Sequence, residues 1–524
     1  MPIRTRFLAA RPLFAALAAT GLSASLSAAP LYWDINGNIP GAGGATPAGP
    51  WDAATPNWST DPAGGVATQV WSATETAVFA AGTDATGNYT VTPGTLTAAG
   101  LTIEEGTVVF NAGAISTGAG PIIVNAGARL VTNSSLRIPT TAGSIITLNG
   151  GALETTNTGN AGSFVDQDST ISLGAAGGTL AFNLPNLLNI VQGGTVISGN
   201  GSLTKEGVGC LAIASTSIYT GATILNGGEL RIRTSNNRLP VTTALTVNAA
   251  GILNLNALSQ QVGSLSGSGL VGLGSGLFTV GDANNTTFSG SIRDIANVAT
   301  PLSLPTTTTG GRVTKVGSGT LTLSGANTYT GLTTVTAGSL IVSGSLTGTS
   351  GVNVSGTLGG GGIITTAGNG SITILAGGKL SPGDSIGDLT ANLSGTGTFS
   401  LTAGVTASAT AALIYELDTP AASDQVTLTG GPLVIGTGVL ELDDFSFTVS
   451  GNFGPGDYVL VDGNTAITGT LGALTTGTVG GFGAELQLGD NGNDLILHVV
   501  PEPGTAATAL LGTALLAFSR RRRI

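Results

Sequence analysis

From about residue 90 onward, the chain is written in short runs that alternate polar and apolar side chains and are broken every few residues by glycine. Thr320, Leu321, Thr322 and Leu323 form one such run, 325–331 reads as a turn, and 333–342 reads as a second strand broken at Gly338. A period of two predicts half-buried strands, with alternate side chains on opposite faces. Similar cadences recur at 101–110, 122–131, 245–255 and 352–358. No long helical periodicity competes with them, so the expected class is all-β.

The pattern repeats. A shift of 110 residues superposes 201–232 on 311–342 without a gap. The shared residues of the first copy are Gly201, Thr204, Lys205, Gly207, Gly209, Leu211, Tyr219, Thr220, Gly221, Thr223, Gly228 and Leu230. A strand–turn–strand unit cannot bury its apolar row alone, so units must stack into a continuous interior, which describes a β-solenoid. With roughly 22 residues per coil and about 4.8 Å per step, 90–401 would make about fourteen coils and a rod near 65 Å. The flanks divide into a Trp-rich N-terminal cap at 30–89 and a C-terminal β region at 402–500.

Both ends carry targeting patterns. Residues 1–29 place Arg4, Arg6 and Arg11 ahead of an apolar run and then small residues, the layout of a secretory signal peptide. At the other end come Pro501, Glu502 and Pro503, an apolar stretch over 505–518 expected to form a short helix, and Arg520, Arg521, Arg522 and Arg523. As a helix that stretch spans roughly 21 Å, short of the roughly 30 Å hydrocarbon core. This ordered triplet resembles the PEP-CTERM sorting signal of Gram-negative bacteria. The resemblance implies an exosortase-type partner acting at Pro501–Pro503. It also implies transient inner-membrane anchoring by the apolar segment, with the arginines on the cytoplasmic side, and final placement at the cell surface or in the extracellular matrix.

The two copies resemble the autotransporter-associated β-strand repeat, the second nearly throughout. The first departs at Ser217 and Ile218, where the pattern has Asn-Thr, and at Ala212 and Ile213. That resemblance implies a right-handed parallel β-helix of pectin-lyase-like cross-section. Tyr32, Trp33, Asp34, Trp51, Asn57, Trp58 and Ser59 are similar to the start of large secreted proteins that combine this repeat with the same C-terminal signal. The segment 378–387, with Leu380, Pro382, Gly383 and Ser385, is similar to their closing coils. The last segment is not the amphipathic barrel of an autotransporter, so the chain is not expected to export itself.

Composition narrows the chemistry. Among 524 residues there are 85 glycines, one Cys, one Met and one His, and only 9% are charged. A hydrophobic share of 41% argues against disorder. His498 alone supports no Ser-His-Asp relay and no His-based metal site. The net charge is −11, and the acidic body between the arginine-bearing ends has no basic patch, which argues against a nucleic-acid partner. Cys210 is expected as a tolerated small residue on a polar row, and Tyr219 and Tyr329 as turn-packing residues.

Gly267, Gly269 and Gly272 satisfy a dinucleotide fingerprint, but without the strand-then-helix context it needs. Asp34, Asn36 and Asn38, and separately Asp490, Asn491, Asn493 and Asp494, are oxygen-rich. The first lacks the sixth-position glycine and distal Glu of an EF-hand loop, the second lacks tandem repeats, and Asx turns account for both. Trp33, Trp51, Trp58 and Trp71 either plug the open end of the solenoid or form a sugar-stacking surface, with the plug preferred. Glu104 with Glu105 and Asp443 with Asp444 are adjacent in sequence, and in strands would point to opposite faces. No catalytic residue, metal or cofactor is therefore expected. The leading reading is a secreted structural or adhesive solenoid. Alternatives are a module that binds exopolysaccharide or another surface, and a polysaccharide-active enzyme.

Overall fold

The computed structural model describes residues 28–111, 114–132, 143–156, 169–184, 188–191, 194–296, 306–402, 411–436 and 438–501. Among them there is no α-helix. Two single 3₁₀ turns, Leu442–Asp444 and Asp490–Gly492, are the only helical segments, and all other regular structure is strand. The apolar helix expected over 505–518, and all but the last two residues of the signal peptide expected at 1–29, lie outside the described residues.

The strands stack as a coil with three faces. The second face is a single parallel ladder of seventeen strands, from Gly49–Trp51 to Phe445–Val449. At about 4.8 Å per step it extends on the order of 75 Å. The first face runs from Pro30–Trp33 to Val196–Gly199 and resumes from Gln260–Val262 to Leu433–Ile435. Between those runs two coils cross the face without a strand, and side chains stand in for the ladder. There Gln260 accepts from Leu239 N–H through Oε1 and donates Nε2–H to Leu239 carbonyl, both at 3.1 Å. The third face holds Cys210–Ile213, Gly228–Ile232 and Gly251–Asn254, and continues through Ser345–Thr349 to Gly456–Gly463.

Register explains the alternation. Leu321, Leu340, Leu358, Leu380, Leu413 and Phe445 are successive partners in one buried row. Each such side chain contributes about 1.5–3 kcal/mol by leaving water. Leu321 and Leu323 are buried, whereas Thr320 and Thr322 between them are half-buried.

Parallel pairing extends on both sides of 90–401. Pro30–Trp33 already pairs in parallel with Thr76–Phe79, and Gln425–Thr429 with Gly456–Gly463. Antiparallel strands finish the two ends. Trp58–Ser59 lies antiparallel on Pro30–Trp33. Asp494–Val500, Phe482–Gly489 and Thr476–Val479 follow Gly456–Gly463 in antiparallel order. Each occupies an edge that would otherwise offer unpaired N–H and C=O groups to another chain.

Candidate functional site

The outward row of the first face is regular in both spacing and chemistry. Gln261, Thr279, Thr314, Thr334, Asn353, Thr373 and Ser400 are successive partners, one per coil. All carry uncharged hydrogen-bonding groups, repeated at the coil spacing of about 4.8 Å. The third face has a shorter counterpart, where Asn392 donates to Thr365 at 3.2 Å and accepts from Thr429 at 2.9 Å. Such rows can meet a neutral, hydroxyl-rich polymer through many weak hydrogen bonds. They hold no group able to transfer a proton near neutral pH.

The corners beneath these faces carry the repeat's identical residues. Strand alternation turns Lys205 and Lys315 inward, and each ammonium reaches back to a corner. Lys205 Nζ donates to the carbonyls of Glu206 (2.8 Å), Gly207 (2.8 Å) and Gly227 (2.9 Å). Lys315 Nζ donates to Val316 (2.6 Å), Gly317 (3.0 Å) and Ala337 (3.3 Å). Burial pushes the Lys205 ammonium down to about 8 and lowers Lys315 as well. Gly317 and Gly338 take φ of 68° and 62°, and a Cβ on Gly338 would lie 2.3 Å from Gly319 carbonyl oxygen. Only glycine fits there.

Tyr219 and Tyr329 are buried, each hydroxyl sharing a hydrogen bond with the threonine four residues on, at 2.5 Å to Thr223 and 2.8 Å to Thr333. They are turn-packing residues, as expected. The lysines were legible in their inward phase, yet the sequence reading assigned them no role.

The other candidates do not assemble into chemistry. All four tryptophans are buried and pack on one another and on Phe79, with Trp33 to Trp58 at 5.3 Å and Trp58 to Trp71 at 4.6 Å between ring centroids. Rings turned inward form a plug rather than a sugar platform. Cys210 is fully buried, and burial raises its thiol pKa, opposite to what a nucleophile needs. Beside it Arg231 makes a buried bidentate pair with Glu229 at 2.6 and 2.9 Å.

Gly267, Gly269 and Gly272 sit in strands and a corner, with no helix following. Asp444 is spent on Glu441 N–H at 2.9 Å, and Glu105 on Ala85 N–H at 3.0 Å. His498 Nδ1 meets only Asp457, at 2.5 Å on the surface. Asp490 accepts from Asn493, and Asp494 from Gly463 N–H, which makes that cluster a self-satisfied turn.

A buried carboxylate also escaped the sequence reading. Asp424 is buried beside a groove of about 350 Å³ lined by Glu416, Asp384 and Ser385. It accepts from Gly387 N–H at 3.0 Å and Glu416 N–H at 2.7 Å, and burial, outweighing these donors, pushes its carboxyl up to about 7. Both oxygens staple the 383–387 turn to the next coil. Its partners lie 37 and 8 residues away, which no local motif announces.

Pro501 closes the described chain, exposed at the end of Asp494–Val500. Glu502, Pro503 and Arg520, Arg521, Arg522 and Arg523 lie outside the described residues.

Residues 203–232 and 313–342 match the Passenger-associated-transport-repeat, and 499–523 match the PEP-CTERM protein-sorting motif. A stretch of 170 residues is 30% identical to the Adhesin BmaC autotransporter of Brucella suis biovar 1 (strain 1330). It covers 31% of this chain and 5% of the length of that relative. The crystal structure of the Haemophilus influenzae Hap adhesin aligns over 81% of this chain and 63% of its own, at 12% identity and a TM-score of 0.24. The sorting motif implies processing by an exosortase and export to the cell surface. The chain thus carries two passenger-associated transport repeats and a PEP-CTERM sorting motif on an all-β stack of parallel sheets, with distant similarity to an autotransporter adhesin.

Proposed function

We propose that this is a cell-surface or extracellular-matrix solenoid with a structural and adhesive role, whose rigid body displays neutral polar rows to a hydroxyl-rich partner. The observation that carries this reading is the row Gln261, Thr279, Thr314, Thr334, Asn353, Thr373 and Ser400. Exopolysaccharide fits such a row, because its hydroxyls both donate and accept and carry no charge to desolvate. The sequence match to an adhesin supports the same reading. Delivery runs through Pro501, Glu502 and Pro503 as the exosortase recognition motif. The apolar run holds the precursor in the inner membrane, and Arg520–Arg523 stay cytoplasmic, since each resists crossing by about 2.5–3.5 kcal/mol.

The test is retention of purified protein on the host's own exopolysaccharide. The wild type should bind, and the triple change Thr314→Val, Thr334→Val and Thr373→Val should lose most of that binding with the circular dichroism spectrum unchanged. Equal retention of the two proteins would refute the ladder reading. For delivery, tags on both sides of Pro503 should part in the native host. Tags that always stay together would contradict exosortase processing.

A further inference from the structure

The N-terminal cap carries an uncompensated charge. Between Arg11 and Arg129 the chain has no Lys, Arg or His, yet it has seven carboxylates, Asp34, Asp52, Asp61, Glu75, Asp84, Glu104 and Glu105. Asp34 is the deepest of them, at 0% exposure. Its Oδ1 accepts from Asn36 N–H at 3.0 Å, while its Oδ2 is buried with no donor from the protein. In the same turn Asn36 Oδ1 is also buried without a donor. Burying one unpaired anionic oxygen is costly, and placing a second bare oxygen two residues away offers it no relief.

Two loops, 59–65 and 80–84, close on this turn. Gly41 N–H donates to Ala63 carbonyl at 2.8 Å, Gly82 N–H to Pro62 carbonyl at 2.7 Å, and Ala81 N–H to Trp33 carbonyl at 3.0 Å. Asp84 accepts from Ala42 and Gly44 N–H groups at 2.7 and 2.8 Å. A Cβ on Gly64 would sit 2.4 Å from Gly41 carbonyl oxygen, so the loops meet backbone to backbone. Burial raises the Asp34 carboxyl pKa, the N–H groups of Asn36 and Gly37 oppose that, and the charges of Asp84 and Asp61 add to the rise. The surroundings of Asp34 are therefore negative, and no side chain in the cap can neutralise it.

We propose that the turn 34–44, backed by the loops 59–65 and 80–84, binds a calcium ion through Asp34 Oδ2 and Asn36 Oδ1. The donors are a carboxylate and an amide oxygen, with no nitrogen or sulfur, which selects a hard cation. Irregular loops suit the variable coordination of calcium better than the strict octahedron of magnesium. Among the described residues no group of three His, Cys, Asp or Glu side chains closes on one point, so the proposed site has two side-chain ligands and would take the rest of its shell from main-chain oxygens or water. Two side-chain ligands place the affinity in the range of extracellular modules, about 10⁻⁴–10⁻³ M. The inference is independent of the adhesive reading.

Trp33, next to Asp34 and packed in the tryptophan cluster, supplies the readout, because indole excitation transfers to a nearby bound lanthanide. Purified full-length protein is titrated with Tb³⁺, and bound Tb³⁺ is then competed with Ca²⁺ or Mg²⁺. The expected result is saturable tryptophan-sensitised emission, displaced by Ca²⁺ at about 0.1–1 mM and by Mg²⁺ only at concentrations at least about tenfold higher. Asp34→Asn should weaken Tb³⁺ at least about tenfold, as loss of the only charged ligand implies, and Asn36→Asp should tighten it. Asp52→Asn, at an exposed turn whose carboxylate accepts from Ala54 and Thr55, should change nothing. Absence of saturable emission from the wild type would overturn the proposal. So would emission equal in wild type and Asp34→Asn, or an Asp34→Asn protein more heat-stable than wild type in the presence of Ca²⁺, which would identify a protonated carboxyl instead. If Asp34→Asn fails to fold, wild type and Asn36→Asp decide between the same outcomes.

Discussion

The two repeat copies share their sequence but not their place on the solenoid. In the first, Leu203–Glu206 lies on the second face and Cys210–Ile213 on the third. In the second, Arg312–Lys315 lies on the first face and Thr320–Leu323 on the second. The later copy is thus turned by one face about the axis. What the sequence repeats is a corner, held by a buried lysine on three carbonyls, glycines at positive φ and a Tyr–Thr hydrogen bond. All of those partners lie within the same repeat copy, so the corner works between any two faces. The copies differ where the coil meets its neighbours. Asn327 donates to Gly325 and Ser345 carbonyls at 3.1 Å and accepts from Ile292 N–H at 3.0 Å, whereas the hydroxyl of Ser217 at the matching position is buried with no partner.

If the corner is the common unit, truncating its inward leucine should cost the two copies alike. Leu211→Ala and Leu321→Ala are each expected to lose about 2–5 kcal/mol, and Thr322→Ala at most about 0.5. Denaturant melts with hydrogen exchange read both the amount and its place, since loss in a solenoid spreads only to nearby coils. Equal losses at Leu321 and Thr322 would reverse the assignment of faces.

Next in size, Lys205→Met and Lys315→Met leave three corner carbonyls without a donor, at about 1–3 kcal/mol each. A neutral result at either would mean that the corner is held by its glycines alone.

The corner lysine also gives pH a handle. The folded Lys205 pKa, about 8, lies below that of the unfolded chain, so folding is opposed by its protonation. The contribution is full above about 10.4 and is lost as pH falls through about 8. Exchange protection at 205–207 should therefore rise between pH 7 and 10 in wild type and stay flat in Lys205→Met. Asp424 runs the other way. Its raised carboxyl stabilises the 383–387 staple fully below about 4 and loses that contribution as pH rises through about 7, a trend that Asp424→Asn should abolish.

The smallest effect sharpens the difference between copies. Ser217→Asn should add up to about 1 kcal/mol if the asparagine finds the carbonyls that Asn327 finds, measured by the same melts. A loss would show that the first copy has shaped its turn around the smaller residue.

Strand class, stacking and the repeat were legible because a period of two and glycine at corners are local properties. The rotation between copies was not, since a pattern that encodes a corner says nothing of which faces flank it. For the tryptophans the preference for a plug came from their place at the end of the stack, since Trp33, Trp51 and Trp58 sit in strands of only two to four residues, with too little alternation to fix a direction. Alternation places Cys210 outward, yet it is buried beside the Glu229–Arg231 pair, which lies on a neighbouring strand. Asp424 and the loops around Asp34 depend on contacts between distant segments, and only the three-dimensional stack brings those together.

The central claim is that one residue per coil lines up along the first face, and a distance between two of those residues tests it most directly. Nitroxide labels on cysteines placed at Gln261 and Ser400, with buried Cys210 left unlabelled, are separated by six ladder steps. Pulsed electron resonance should give a narrow distribution near 29 Å, at about 4.8 Å per step. A broad distribution, or a mean displaced by more than about two steps, would contradict the solenoid.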